Sequence, residues 1–199
     1  VYESEGGIGH LPDLCVTVPV FHQGEVVAFV QAFGHHDDIG GACPGSMPSG
    51  AQSVYEEGLA VPPIKLWEAG KPNTAALRIM TRNSRMPDSL AADLDAECSA
   101  CLMGARRLAE LFGRYGRETV TACIHAVWDA SEREARAVVA KIPDGSYEAE
   151  SFLDNDGRSL DVKLRIKVKV VIDGDRMIID FSEINDQVPG PTNSGYSGG

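Results

Sequence analysis

No stretch of this chain approaches the ~20 consecutive apolar residues that a membrane-spanning helix needs, so the sequence offers no helical span. Basic residues are scarce. Lys and Arg total 18 against 29 Asp and Glu, a net charge of −11. That deficit argues against nucleic acid or an anionic membrane as partner, since either favours a basic face. The one basic run, Lys163–Lys169, alternates with apolar residues and reads as the wet face of a strand rather than a phosphate track. The Gly-x-x-x-x-Gly-Lys-Ser/Thr pattern is missing, so the chain shows no nucleotide cradle of its own. Cysteine is sparse: Cys15, Cys43, Cys98, Cys101 and Cys123 form no even framework. Cys98-x-x-Cys101 has the spacing of a redox or zinc half-site. It lies in a helical run with no second pair and no histidine nearby, and reads as core. No signal peptide opens the chain, so a reducing cytoplasm is the expected compartment.

What remains is ordinary for a globular chain, 43% hydrophobic and 24% charged, apart from its histidines. Four of the five, His10, His22, His35 and His36, fall in the first fifty residues. Three of these sit beside carboxylates, in His10-Leu11-Pro12-Asp13 and His35-His36-Asp37-Asp38. Imidazole with carboxylate is the ligand set that Zn, Mn and Fe favour.

The β-rich runs 14–21 and 25–34 flank His22-Gln23-Gly24 and predict a hairpin, with Pro19 marking an edge or a bulge. A hairpin carries His10 and Asp13 to the same end as His35 and His36. Residues 37–75 are rich in Gly and Pro and predict a long functional loop, with one or two helical turns within 51–59. Apolar residues at helical spacing then predict helices over 88–112, opened by Pro87 and broken by Gly113 and Gly116, and over 118–141. The two are expected to pack as an antiparallel pair. Strands follow over 147–153, 162–172 and 176–181, with Asp173-Gly174-Asp175 as a tight turn. Strands, irregular loop, helix pair, strands: the order points to an α+β fold.

His10, Asp13 and His35 are the candidate metal ligands, with His36 and Asp38 close by; the plain alternative is that these polar groups cap turns. Ser46, in Pro44-Gly45-Ser46-Met47-Pro48, is either a substrate contact or a loop pin, since the strand–turn–helix setting of a nucleophile elbow is missing. Glu56-Glu57 reads as an acid–base pair or a solvated turn. Lys65 reads as an anion holder or a surface charge. Gly6-Gly7 and Gly40-Gly41 permit close backbone approach.

These motifs resemble the hydantoinase B family, which takes in N-methylhydantoinase B subunits, the C-terminal half of ATP-dependent 5-oxoprolinase, and subunits of acetone and acetophenone carboxylases. The resemblance rests on Gly9–Asp13, His35-His36-x-Asp38-Ile39-Gly40-Gly41, Pro44–Pro48 and Glu56-Glu57-Gly58-Leu59-x-x-Pro62-Pro63-x-Lys65-Leu66. It continues through Asp93-Leu94-x-Ala96, Gly104–Leu108, Arg114-Tyr115-Gly116 and Pro143–Tyr147, and ends near Asp180-Phe181-Ser182 and Gln187–Pro191. Of the family's Asn-Asp-Pro-Tyr box only Tyr2 remains; Gly9 stands where Thr is common, and Asp37 where a small residue is usual. The resemblance implies a divalent transition metal, Zn or Mn, on His10, Asp13 and His35, with His36 or Asp38 as base or orienting group. It further implies substrate contacts from Ser46, Glu57 and Lys65. A hydantoinase A-like partner subunit would bind ATP and Mg and phosphorylate the substrate. The expected activity is opening of a cyclic amide, with ketone carboxylation as the alternative and a non-catalytic assembly role as a third. Val1 in place of Met and a glycine-rich close at 193–199 suggest a piece of a larger polypeptide. On this reading 1–86 is the hairpin and site region, 87–143 the helix pair and 144–199 a β-rich segment, all within one hydantoinase B-like domain truncated at both ends.

Overall fold

The computed structural model describes residues 9–193, so Tyr2, Gly6-Gly7 and the glycines after Ser194 lie outside the described residues. The chain divides into two compact units, Val1–Glu110 with Gly190–Gly199, and Leu111–Pro189.

The first unit is built on a hairpin. Strand β1 (Asp13–His22) pairs antiparallel with β2 (Glu25–His35), and its register sets Asp13 opposite His35. The turn has positive φ at both central residues, Gln23 (53°) and Gly24 (85°), as a two-residue type I′ turn requires. Pro19 sits on one of only two strands, each of which has a free edge, and the register shifts directly after it, between Val20 and Phe21. Leu14, Val16, Val18, Val30 and Ala32 share one face, which packs with Leu90, Leu94, Cys98 and Cys101 of helix α2 (Pro87–Tyr115). The other face, with Cys15, Phe29 and Phe33, is exposed. Gly104 lets α2 approach closely, since a Cβ there would lie 2.9 Å from Val30.

Residues 37–66 hold little regular structure beyond a 3-10 turn at Val54–Glu56, matching the predicted loop and its helical turn. Three elements between this loop and α2 escape the sequence pattern: β3 (Trp67–Glu68), β4 (Lys71–Pro72) and α1 (Thr74–Asn83). Asn73 caps α1 by accepting from the Ala76 N–H at 3.2 Å.

In the second unit, α3 (Arg117–Val139) accompanies an antiparallel sheet of β5 (Gly145–Leu153), β6 (Leu164–Asp173) and β7 (Arg176–Asp180). Glu148, Lys169 and Asp180 align across its charged face, and Tyr147, Val170 and Ile179 across its apolar one. The basic run is thus strand surface: Lys167 pairs with Glu148 at 3.2 Å and Glu183 at 2.9 Å.

Helices and antiparallel sheets confirm the α+β class. Helix α2 runs on through Gly113, and the break falls at Gly116, whose φ is 80°. The apolar stripe of α2, Leu94, Cys98 and Cys101, packs on the hairpin.

Candidate metal centre

The hairpin register does the first part of the work. Asp13 and His35 are direct partners on the exposed face of the strand pair. Leu11 and Pro12 are buried, which fixes the preceding turn. The Pro12 carbonyl accepts two backbone N–H groups, from Leu14 at 3.1 Å and from His36 at 2.9 Å. The turn bearing His10 and Asp13 is thereby tied to the end of β2. His10 Nε2 lies 3.0 Å from Asp13 Oδ2, and the His10 and His35 rings are 4.9 Å apart between centroids.

One ligand atom from each of His10, Asp13 and His35 lies within 4.8 Å of the others, the single such group among the described residues. Two imidazoles and a carboxylate suit Zn or Mn and leave coordination positions open. The residues fit the metal that the sequence resemblance implies.

The other predicted site residues have different settings. His36, one residue beyond the strand, turns inward and is buried. Its Nδ1 lies 3.7 Å from Asp93 and its Nε2 3.6 Å from Glu97, and neither nitrogen has a hydrogen-bond partner. Burial pushes the His36 pKa down, against the pull of Asp93. Burial, with the Asp93 charge, pushes Glu97 up to about 7.

Asp38 is buried and saturated with donors. Its Oδ1 accepts from the N–H of Gly40 and of Arg85, both at 2.9 Å, and its Oδ2 from Gly45 N–H and Arg85 Nη1, both at 3.0 Å. Burial favours the neutral acid, but these bonds outweigh it and hold the pKa at about 2. Ser46, fully buried, accepts from Ile39 N–H at 2.8 Å and donates to Gly40 O at 2.7 Å. Both residues lock the loop. Gly41 packs so tightly on Glu57 that a Cβ would lie 2.6 Å from the Glu57 carbonyl carbon. Glu57 Oε2 is buried and has no hydrogen-bond partner. Lys65 is exposed and pairs with Glu68 at 2.6 Å.

A search against family models matches residues 2–198 to hydantoinase B/oxoprolinase. The chain belongs to this family. Among curated relatives, caprolactamase subunit beta of Pseudomonas jessenii is 38% identical over 189 residues, covering 95% of this chain and 32% of that protein. Acetophenone carboxylase delta subunit of Aromatoleum aromaticum is 32% identical over 190 residues, covering 95% of this chain and 28% of that protein. The crystal structure of ATP-dependent caprolactamase from Pseudomonas jessenii aligns with a TM-score of 0.86 at 34% identity, covering 98% of this chain and 33% of that chain. The chain thus spans about a third of the length of the caprolactamase and hydantoinase subunits it matches.

In this hydantoinase B/oxoprolinase chain, four residues given no site role from sequence, Arg85, Ser89, Asp93 and Glu97, bear on the loop and on His36. Arg85 donates to the carbonyls of Gly41 at 2.7 Å and Cys43 at 3.0 Å, besides holding Asp38. Ser89 bonds Asp37 at 3.1 Å, and Asp93 and Glu97 flank His36. Ser89, Asp93 and Glu97 recur every four residues in α2, the spacing of one helix face, and Arg85 lies two residues before the helix begins. That periodicity is the signal the sequence carries, beside the apolar stripe of the same helix.

Proposed function

We propose that this chain carries the metal-binding core of a B-type subunit in an ATP-dependent cyclic-amide hydrolase, opening a hydantoin- or lactam-type ring. The convergence of His10, Asp13 and His35 supports this most directly. The 38% identity to a caprolactamase subunit supports the amide class. His10, Asp13 and His35 would hold a divalent transition metal, which when bound supplies Lewis acidity and a more acidic water. His10 and His35 are held by the clasp at Pro12, so the three donors keep one geometry. His36 and Asp38 support rather than react: Asp38 has no lone pair to offer as base, and His36 faces inward. Ser46 shapes the loop, while Glu57 and Lys65 remain the candidates for substrate contact. ATP and Mg would reside on a hydantoinase A-like partner subunit. We place the complex in the cytoplasm, where its five free cysteines would stay reduced.

The full-length subunit is to be assayed with its ATP-binding partner on a panel of cyclic amides. Expected are stoichiometric Zn or Mn, ATP-dependent release of a ring-opened acid without bicarbonate, and a loss of at least about 10²-fold in His10→Ala. An active His10→Ala complex without metal would overturn the reading. The likeness to an acetophenone carboxylase subunit supports a ketone carboxylase as second reading; a strict bicarbonate requirement would select it.

A further inference from the structure

His36 is a buried imidazole set between two carboxylates of one helix. It is enclosed, both ring nitrogens lack hydrogen bonds, and Glu97 Oε2 is likewise buried without a partner. Leaving such groups unpaired is costly, and native proteins rarely do so without a compensating role. The surroundings indicate that role. One ring nitrogen faces Asp93 and the other faces Glu97, one helical turn apart on α2. The backbone N–H of the same residue closes the clasp onto Pro12, between His10 and Asp13. Its neighbour in the chain is His35. Gly34, on the other side of His35, is occupied from below by Glu97: a Cβ there would lie 2.7 Å from Glu97 Oε1. Glu97 therefore bears on Gly34, immediately before a proposed ligand, and on the ring of His36, immediately after it.

We propose that Asp93 and Glu97 are positioning residues for the metal centre, acting through His36, so that one face of α2 sets the spacing of His10, Asp13 and His35. The inference rests on the reading of those three as ligands. None of Asp93, His36 and Glu97 touches the metal on this view. They fix the strand end that presents His35 and the turn that presents His10 and Asp13. Groups that orient ligands in this indirect way typically alter metal affinity by about 10- to 100-fold.

The test uses the full-length subunit and measures Mn²⁺ affinity by competition with a chelator, with Co²⁺ absorption as a report on ligand geometry. Glu97→Ala and His36→Ala are expected to weaken Mn²⁺ binding by about 10- to 100-fold and to shift the Co²⁺ bands at saturation, with Asp93→Asn affected less. Gly34→Ala removes no polar group but displaces the Glu97 carboxylate. It should weaken binding in the parent and change it less than about twofold in a Glu97→Ala background, because the two act through one contact. Should Glu97→Ala fail to fold, the Gly34→Ala variant and its Co²⁺ spectrum decide the matter. Unchanged affinity and unchanged Co²⁺ bands in these variants, with Asp13→Ala abolishing binding, would overturn the positioning role and leave the ligand set standing. A parent that binds no Mn²⁺ or Co²⁺ would overturn both.

Discussion

Asp38 is buried and accepts four hydrogen bonds, two of them from Arg85. Its four donors make it a strong anion. The folded pKa of about 2 lies below the ordinary 3.8, so ionised Asp38 stabilises the fold fully above about pH 4. That stability is lost as pH falls through about 2. The shift corresponds to roughly 2 kcal/mol. Asp38→Asn should therefore lower unfolding stability by about 2 kcal/mol at pH 7, and the gap to the parent should close toward pH 2; denaturant titrations across that range check it. Arg85→Lys keeps the charge yet cannot reproduce the fork that spans Asp38, Gly41 and Cys43. It is expected to cost about 1–3 kcal/mol in the same assay. Ser46→Ala leaves two buried backbone groups unpaired and belongs to the same range.

At the scale of elements, the hairpin was legible because period-two apolar runs and a Gln-Gly turn are local signals. The convergence of His10, Asp13 and His35 followed from it. Helix α1 was not legible: Ala75, Ala76, Leu77 and Met80 follow a Gly- and Pro-rich stretch that suggests loop, and its order comes from Asn73 and from packing of Leu77 and Met80 on the core. Nor could sequence tell which surface the α2 stripe would meet, since hairpin and helix accept the same apolar residues. The settings of Asp38 and Ser46 were not legible for a related reason. Their partners lie in the backbone of their own loop and, for Asp38, on Arg85, 47 positions away. The contact between Gly104 and Val30 gives an element-scale prediction. Gly104→Ala gains about 1 kcal/mol of helix propensity but forces a clash costing about 1–3 kcal/mol. Net destabilisation is expected. Val30→Ala should cost less in that background than in the parent, a coupling that a double-mutant cycle would read.

For the molecule as a whole, the family assignment and the site point the same way. A ligand that binds only the folded state stabilises it by mass action, about 2.7 kcal/mol at a free concentration of 100 times Kd. The full-length protein is therefore expected to melt several degrees higher with saturating Zn or Mn than after chelation. His10→Ala should remove that difference without lowering the metal-free melting temperature. Whether the neighbouring unit, with its charged sheet face of Glu148, Lys167 and Lys169, meets a partner lay beyond the sequence, because a solvated strand face and a polar interface share one composition.

The hairpin also imposes an arithmetic on this family that no single residue reveals. His35 and His36 occupy consecutive positions, the proposed ligand exposed on the outer face and its neighbour turned inward and buried. Which histidine plays which part depends only on whether the count back along β2 is odd or even. Removing one residue between Ala28 and Gly34 would exchange the two. Val27, which has no partner in the register between Val20 and Phe21, is the place where a single residue comes or goes without changing that parity. Length variation among relatives should therefore collect at this point or occur in pairs.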